Sequence, residues 1–138
     1  MLDSIQEILD RCRAEDVPFW RVVRASDMEQ RQVTAEASRE KMRQTWLAML
    51  ESEESYQARR RSLSGLAGGD GGKMRDFAAQ GHSLSGDYLS EVIATALCVG
   101  EGNACMRKIV AAPTAGACGV LPAVLIPLYR KGKASEEK

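Results

Sequence analysis

Three cysteines, a single histidine and two glycine-rich stretches are the parts of this 138-residue sequence whose residue types and spacing could do chemistry. Cys98, Cys105 and Cys118 are separated by six and twelve intervening residues. That spacing is unlike zinc-finger pairs or ferredoxin runs. Cys98 and Cys105 lie seven apart on a predicted helix and share a face, which suits buried packing rather than metal ligation. Cys118 differs, because it sits in a Pro-Thr-Ala-Gly-Ala-Cys-Gly turn at a helix entrance. Partial positive charge there would favour the thiolate. His82 follows a turn without a visible partner and reads as a surface residue.

The two glycine-rich stretches frame the region. Residues 62–73 read Ser-Leu-Ser-Gly-Leu-Ala-Gly-Gly-Asp-Gly-Gly-Lys, and residues 112–123 read Ala-Pro-Thr-Ala-Gly-Ala-Cys-Gly-Val-Leu-Pro-Ala. Eleven of the twelve glycines fall between Gly65 and Gly119, and such a concentration marks tight turns or backbone pressed close to a ligand. A phosphate loop is excluded. Ala67 stands where its first glycine belongs, Met74 replaces the magnesium-binding hydroxyl, and no strand precedes it. Both stretches nevertheless run into a helix start, where backbone N–H groups and the helix dipole favour a carboxylate or phosphate. Gly116 and Gly119 would let backbone approach, and the Thr114 hydroxyl would add a hydrogen bond. The plain alternative is a pair of tight helix–helix connections.

The elements that must position these loops are helical. Ser4 or Asp3 can cap a first helix with Ile5, Ile8, Leu9 and Cys12 on one stripe, Cys12 in the core. Pro18 fits the first turn of a second helix through Val22 and Val23; Ser26 and Glu29 have capping-box spacing and offer an alternative start. Residues 34–60 read as one long charged helix with a stripe of Met42, Trp46, Met49 and Leu50, ending in a solvated Arg59-Arg60-Arg61. Asp70 can cap a short helix carrying Lys73, Met74, Phe77 and Ala78, with Gly81 as its C′ residue. Ser85 or Asp87 starts a further helix with Leu89, Val92, Ile93, Ala96 and Leu97 on its buried face. Gly100, Gly102, Ala104 and Cys105 would then allow close helix approach, and Pro113 would end that helical stretch. A last apolar helix spans 120–128, with Pro122 in its first turn and Pro127 kinking or ending it. The organisation is thus 1–61 as N-terminal helices, 62–130 as the glycine-rich loop region, and 131–138 as a polar tail.

Composition narrows the class. Lys and Arg number 19, as do Asp and Glu, and the formal net charge is zero, so neither nucleic acid nor an anionic membrane is the expected partner. An apolar fraction of 44% with only 5% aromatics suits an all-α fold. There is no signal-like N-terminus, and the apolar run at 120–128 is too short to span a bilayer. The sequence reads as cytoplasmic, where four cysteines are thiols, ligands or core residues rather than a disulfide framework.

Taken in order, Ser64-Gly65-Leu66-Ala67-Gly68-Gly69-Asp70, Lys73, Asn103-Ala104-Cys105-Met106, Pro113-Thr114-Ala115-Gly116 and Gly119-Val120-Leu121-Pro122-Ala123 resemble the iron–sulfur L-serine dehydratase α chain. The resemblance implies the helical fold of that α domain and deamination of L-serine to pyruvate and ammonia. It implies a four-iron, four-sulfur cluster without pyridoxal phosphate, one iron binding the serine hydroxyl as a Lewis acid. It also implies a β domain or subunit as partner, and an oligomer. On this resemblance, Thr114 and the backbone at Gly116 bind the substrate carboxylate, while Ser64, Gly65 and Gly68 line the opposite wall. Lys73 is charge-pairing or structural, and Asn103 bonds substrate or locks a helix pair. The family's cluster cysteines lie beyond this region, so no metal ligand is expected here. The chain then corresponds to an N-terminal half that needs the C-terminal half to assemble the cluster and turn over serine. The competing readings are a helical module binding a small anion, and a structural fragment soluble only as a dimer through exposed apolar faces.

Overall fold

The computed structural model describes residues 2–135, and the end of the expected polar tail, 136–138, lies outside them. Six α-helices and no strand occur among the described residues. The all-α expectation therefore holds. The chain divides into two compact units, residues 1–44 and 45–138.

In the first unit, α1 (Ile5–Glu15) packs on α2 (Phe19–Arg31). Ser4 caps α1 by accepting from the Glu7 N–H at 3.1 Å, and Glu7 reaches back to the Asp3 N–H at 3.0 Å. The first bond satisfies a donor that a helix start otherwise leaves unpaired, and the second ties the preceding residue to the first turn. Pro18 is the N-cap of α2 rather than part of its first turn, and the helix runs unbroken through Ser26. Ser26 is buried, so no second start forms there. Cys12 is half-buried rather than in a core, because α1 buries no residue fully.

The helix α3 (Ala35–Glu54) starts from Thr34, whose hydroxyl accepts from the Ala37 N–H at 3.3 Å, and stops six residues short of the expected end at 60. Arg59-Arg60-Arg61 is therefore an exposed turn rather than a helix end. The expected stripe is incomplete. Met49 is buried and Met42 exposed, while Trp46 meets Tyr129 edge-on at 5.5 Å.

The second unit is built around α5 (Asp87–Ala104), which packs against α4 (Asp70–Ala79) on one side and α6 (Val120–Arg130) on the other. Its buried face is only partly the expected one, since of the expected stripe only Val92 and Ala96 are half-buried. Ser90, Ala94, Thr95, Cys98, Val99, Glu101 and Gly102 point inward. Leu89, Ile93 and Leu97 are exposed, Ile93 at 40%. The reason is the closeness of the helices. A Cβ on Gly71 of α4 would lie 2.8 Å from Cys98 Sγ and 2.9 Å from the Cys98 backbone nitrogen; one on Gly119 would lie 3.0 Å from the Ala96 carbonyl oxygen. Such approach admits only small residues at the seams, so the large apolar side chains fall outside them. The glycines that permit it are Gly71 and Gly119, whereas Gly100 faces open space. Gly71→Ala is expected to lower stability by about 2 kcal/mol, since neither backbone can yield without shifting a helix. Denaturant unfolding would measure it, and an unchanged midpoint would refute the close-packing account.

α5 ends at Ala104, well before Pro113, and the chain reaches that proline through irregular backbone. The last helix runs through Pro127 to Arg130 instead of ending at the proline. Gly81, with φ +70°, follows the α4 C-cap as expected. His82 is exposed beyond it.

Candidate functional site

The Ser64 loop is held from beneath by a carboxylate that the sequence reading did not single out. Asp70 is the first residue of α4, and no side chain of its own loop caps that helix. The cap is Glu101 of α5. Its carboxylate accepts from the Asp70 N–H at 2.8 Å, the Gly71 N–H at 3.2 Å and the Tyr56 hydroxyl at 2.6 Å. Tyr56 in turn accepts from the Gly72 N–H at 3.0 Å. Three leading N–H groups of α4 are thus satisfied by two side chains from distant sequence, and the favourable end of the helix dipole already holds a negative charge. The expectation that this helix start holds part of a ligand meets an internal occupant. Burial, and then the hydrogen bond to Glu101, pushes the Tyr56 phenol up to about 12, so it remains a donor across the ordinary pH range. A signal existed: Glu101 is the one charged residue between Val92 and Met106.

Above the cap, residues 62–69 form the loop, exposed at 63–66. Ser62 Oγ accepts from the Ala67 N–H at 3.1 Å and lies 3.1 Å from Ser64 Oγ. Gly65 and Gly68 have φ of +75° and +126°. Gly68 has a further constraint, since a Cβ there would sit 2.3 Å from the Arg60 carbonyl oxygen. Lys73 pairs with Asp70 at 2.8 Å, both largely exposed, an arrangement worth little to stability. The Lys73 ammonium also holds the Asp70 carboxyl below its ordinary range.

The second loop joins α5 to α6. Thr114 caps a single 3₁₀ turn, Ala115–Ala117, its hydroxyl accepting from the Ala117 N–H at 3.3 Å. The turn's own bonds use the Ala117 and Cys118 N–H groups, so those of Ala115 and Gly116 are left outside them. Asn103, at the end of α5, donates to the Ala115 carbonyl at 3.0 Å. Asn103, Thr114 and Gly116 are therefore brought together, with Asn103 fastening the turn to α5. Gly116 is exposed, and a Cβ there would meet only Thr114 Oγ1, at 3.9 Å.

The cysteines do not form a donor set. All four are free thiols, and Cys98, Cys105 and Cys118 are buried. Burial pushes the Cys98 thiol up to about 11. The same cause raises Cys118 against two backbone hydrogen bonds that lower it, which corrects the expected thiolate character: the helix entrance is there, but the thiol is too deep to benefit. Among the described residues no three His, Cys, Asp or Glu side chains gather as metal ligands. These residues do not fit an iron–sulfur cluster.

A second carboxylate, Glu53 at the end of α3, is 2% exposed. It pairs with Arg75 of α4 and with Arg130 of α6, the latter at 2.7 Å. Arg75 also stacks 5.1 Å from the Tyr56 ring. The two buried carboxylates, Glu53 and Glu101, are thus linked with their partly exposed partners in one chain from Arg130 through Glu53, Arg75 and Tyr56 to Glu101 and the start of α4.

An all-helical scaffold carrying these two loops in this order matches the family model described as serine dehydratase alpha chain, over residues 14–138. The chain belongs to that family. It is 30% identical over 133 residues to the L-serine dehydratase, alpha chain, of Peptoniphilus asaccharolyticus, covering 95% of this chain and 45% of the relative. To the probable L-serine dehydratase, alpha chain, of Bacillus subtilis (strain 168) it is 28% identical over 138 residues, covering 100% and 46%. The chain thus spans a little under half the length of the curated relatives it matches. No solved structure matches it. No helix among the described residues is long and apolar enough to cross a membrane.

Proposed function

We propose that this chain furnishes the substrate-loop portion of an iron–sulfur-dependent L-serine dehydratase, which eliminates ammonia from L-serine to give pyruvate. The observation that carries the reading is the fastening of the Pro113-Thr114-Ala115-Gly116 turn to α5 by Asn103. The turn carries an exposed Thr114 and two N–H groups, of Ala115 and Gly116, outside its own bonds, the kinds of donor that carboxylate recognition uses. The names of the two relatives support the same activity. In this reading Thr114 and the backbone at Gly116 bind the serine carboxylate, and Ser64, Gly65 and Gly68 form the facing wall. Asn103 locks the turn, and Lys73 keeps its pairing with Asp70.

In this reading the cluster would be held by cysteines outside these residues. The chain would therefore work with the remaining part of the α domain and with a β domain or subunit. Support for such a partner lies on α5 and α6, where Leu89, Ile93, Leu97, Leu121, Val124 and Leu125 are exposed beside the seam marked by the Tyr88–Val124 hydrogen bond. A patch of this kind usually marks an interface.

Thr114→Val, made in the complete enzyme assembly, is expected to raise the Michaelis constant for L-serine about tenfold by removing one hydrogen bond to a charged group. An unchanged constant would remove Thr114 from the site.

A further inference from the structure

A narrow cleft between the end of α3 and the end of α5 has the make-up of an anion site independent of the Thr114 turn. Ser52, Ser55, Tyr56, Arg60, Glu101 and Arg107 line it. Ser52 is 4% exposed, and its hydroxyl is buried with no hydrogen-bond partner. A buried hydroxyl facing a cleft without a partner points to a group that is not part of the protein. Its neighbours cannot serve it. The Ser55 hydroxyl donates to the Ser52 carbonyl at 3.3 Å, and the Tyr56 hydroxyl is held by Glu101 and the Gly72 N–H.

The exposed side of the cleft carries two arginines. Among the described residues the guanidinium groups of Arg60 and Arg107 make no hydrogen bond or ion pair, whereas their neighbours are engaged. Arg61 donates to the Ala58 and Arg60 carbonyls, and Lys108 pairs with Glu51 at 2.6 Å. Glu101 contributes the opposing charge, but its oxygens are turned to the three donors at the start of α4. The space in the cleft measures about 10 Å³, at the lower limit for about one water-sized atom. One oxygen of a larger group fits there, with the remainder at the open side.

We infer that this cleft binds a small oxyanion, a carboxylate or phosphate group, with one oxygen on the Ser52 hydroxyl and the charge between Arg60 and Arg107. Arginine suits the task because its planar donors match both anions. The site does not depend on the serine dehydratase reading.

The test uses the full 138-residue chain and two probes, sodium acetate and inorganic phosphate, titrated separately at constant ionic strength in chloride. Saturable shifts of the backbone amide NMR signals of residues 52–57 and 107 are expected with at least one probe, and which probe saturates identifies the anion. Movement of residues 114–117 alone would place the anion on the Thr114 turn and overturn the cleft. Arg60→Gln and Arg107→Gln, both at exposed positions, should each weaken binding about tenfold. Ser52→Ala should weaken it several-fold. Titrations that leave the cleft signals unmoved, or shifts that persist unchanged in the arginine variants, overturn the proposal.

Discussion

Glu101→Ala is expected to destabilise the chain by about 3 kcal/mol, because it removes the shared acceptor of three donors at once. The Asp70 and Gly71 N–H groups and the Tyr56 hydroxyl all point at this carboxylate. Gly71 is buried and cannot turn to solvent, and its contact with Cys98 leaves no slack for the helix to move. Losing an N-cap alone costs about 1 kcal/mol; the stranded donors add the rest. Glu101→Gln separates shape from charge. The amide keeps one accepting oxygen but turns an NH₂ group toward a donor, so about 1–2 kcal/mol should be lost, chiefly from the charge-assisted bonds. Urea unfolding of both variants gives the two figures, and hydrogen exchange should show the amides of residues 70–72 losing protection. An alanine variant within 0.5 kcal/mol of the parent, about the usual scatter for a surface change, would mean that α4 does not depend on this cap.

Glu101 also shows where reading the sequence stops. The helices were legible because caps, glycines and prolines act locally: Ser4 and Thr34 begin α1 and α3, and Gly81 follows α4. The two loops were legible for the same reason, and their motifs carried the family. The facing of α5 was legible only in part. Ala96 of the apolar stripe meets Gly119, but Cys98, which meets Gly71, lies off that stripe, and Leu89, Ile93 and Leu97 on it are exposed. Helical periodicity shows which residues share a face but not which face meets a glycine on another helix. The capping of α4 was hidden likewise. Asp70 has the local credentials of a cap, but the group that does the work comes from 31 positions later in the chain, at Glu101. Cys118 combined a readable local cue with an unreadable depth, and depth decided the thiol.

The second large effect is expected at Glu53. Its side chain is 3% exposed and lies between Arg75 and Arg130, which are 38% and 47% exposed. Breaking a fully buried pair costs about 3–5 kcal/mol because a charge is stranded out of water. Here the stranded groups would be the arginines, and both can turn toward solvent. Glu53→Ala is therefore expected at the lower end, about 3 kcal/mol, from the lost ion pairs together with the vacated volume. Removing one arginine should cost less, about 1–2 kcal/mol, since Glu53 keeps the other. The Glu53 hydrogen bond also holds the Arg130 guanidinium above its ordinary value, so Arg130 remains a full charge at any pH used. Because Arg75 touches both Glu53 and the Tyr56 ring, and Tyr56 donates to Glu101, the two carboxylates belong to one network. The double variant Glu53→Ala/Glu101→Ala should then depart from additivity by at least about 0.5 kcal/mol. Strict additivity in denaturant unfolding would show that Arg75 and Tyr56 merely lie between two independent anchors.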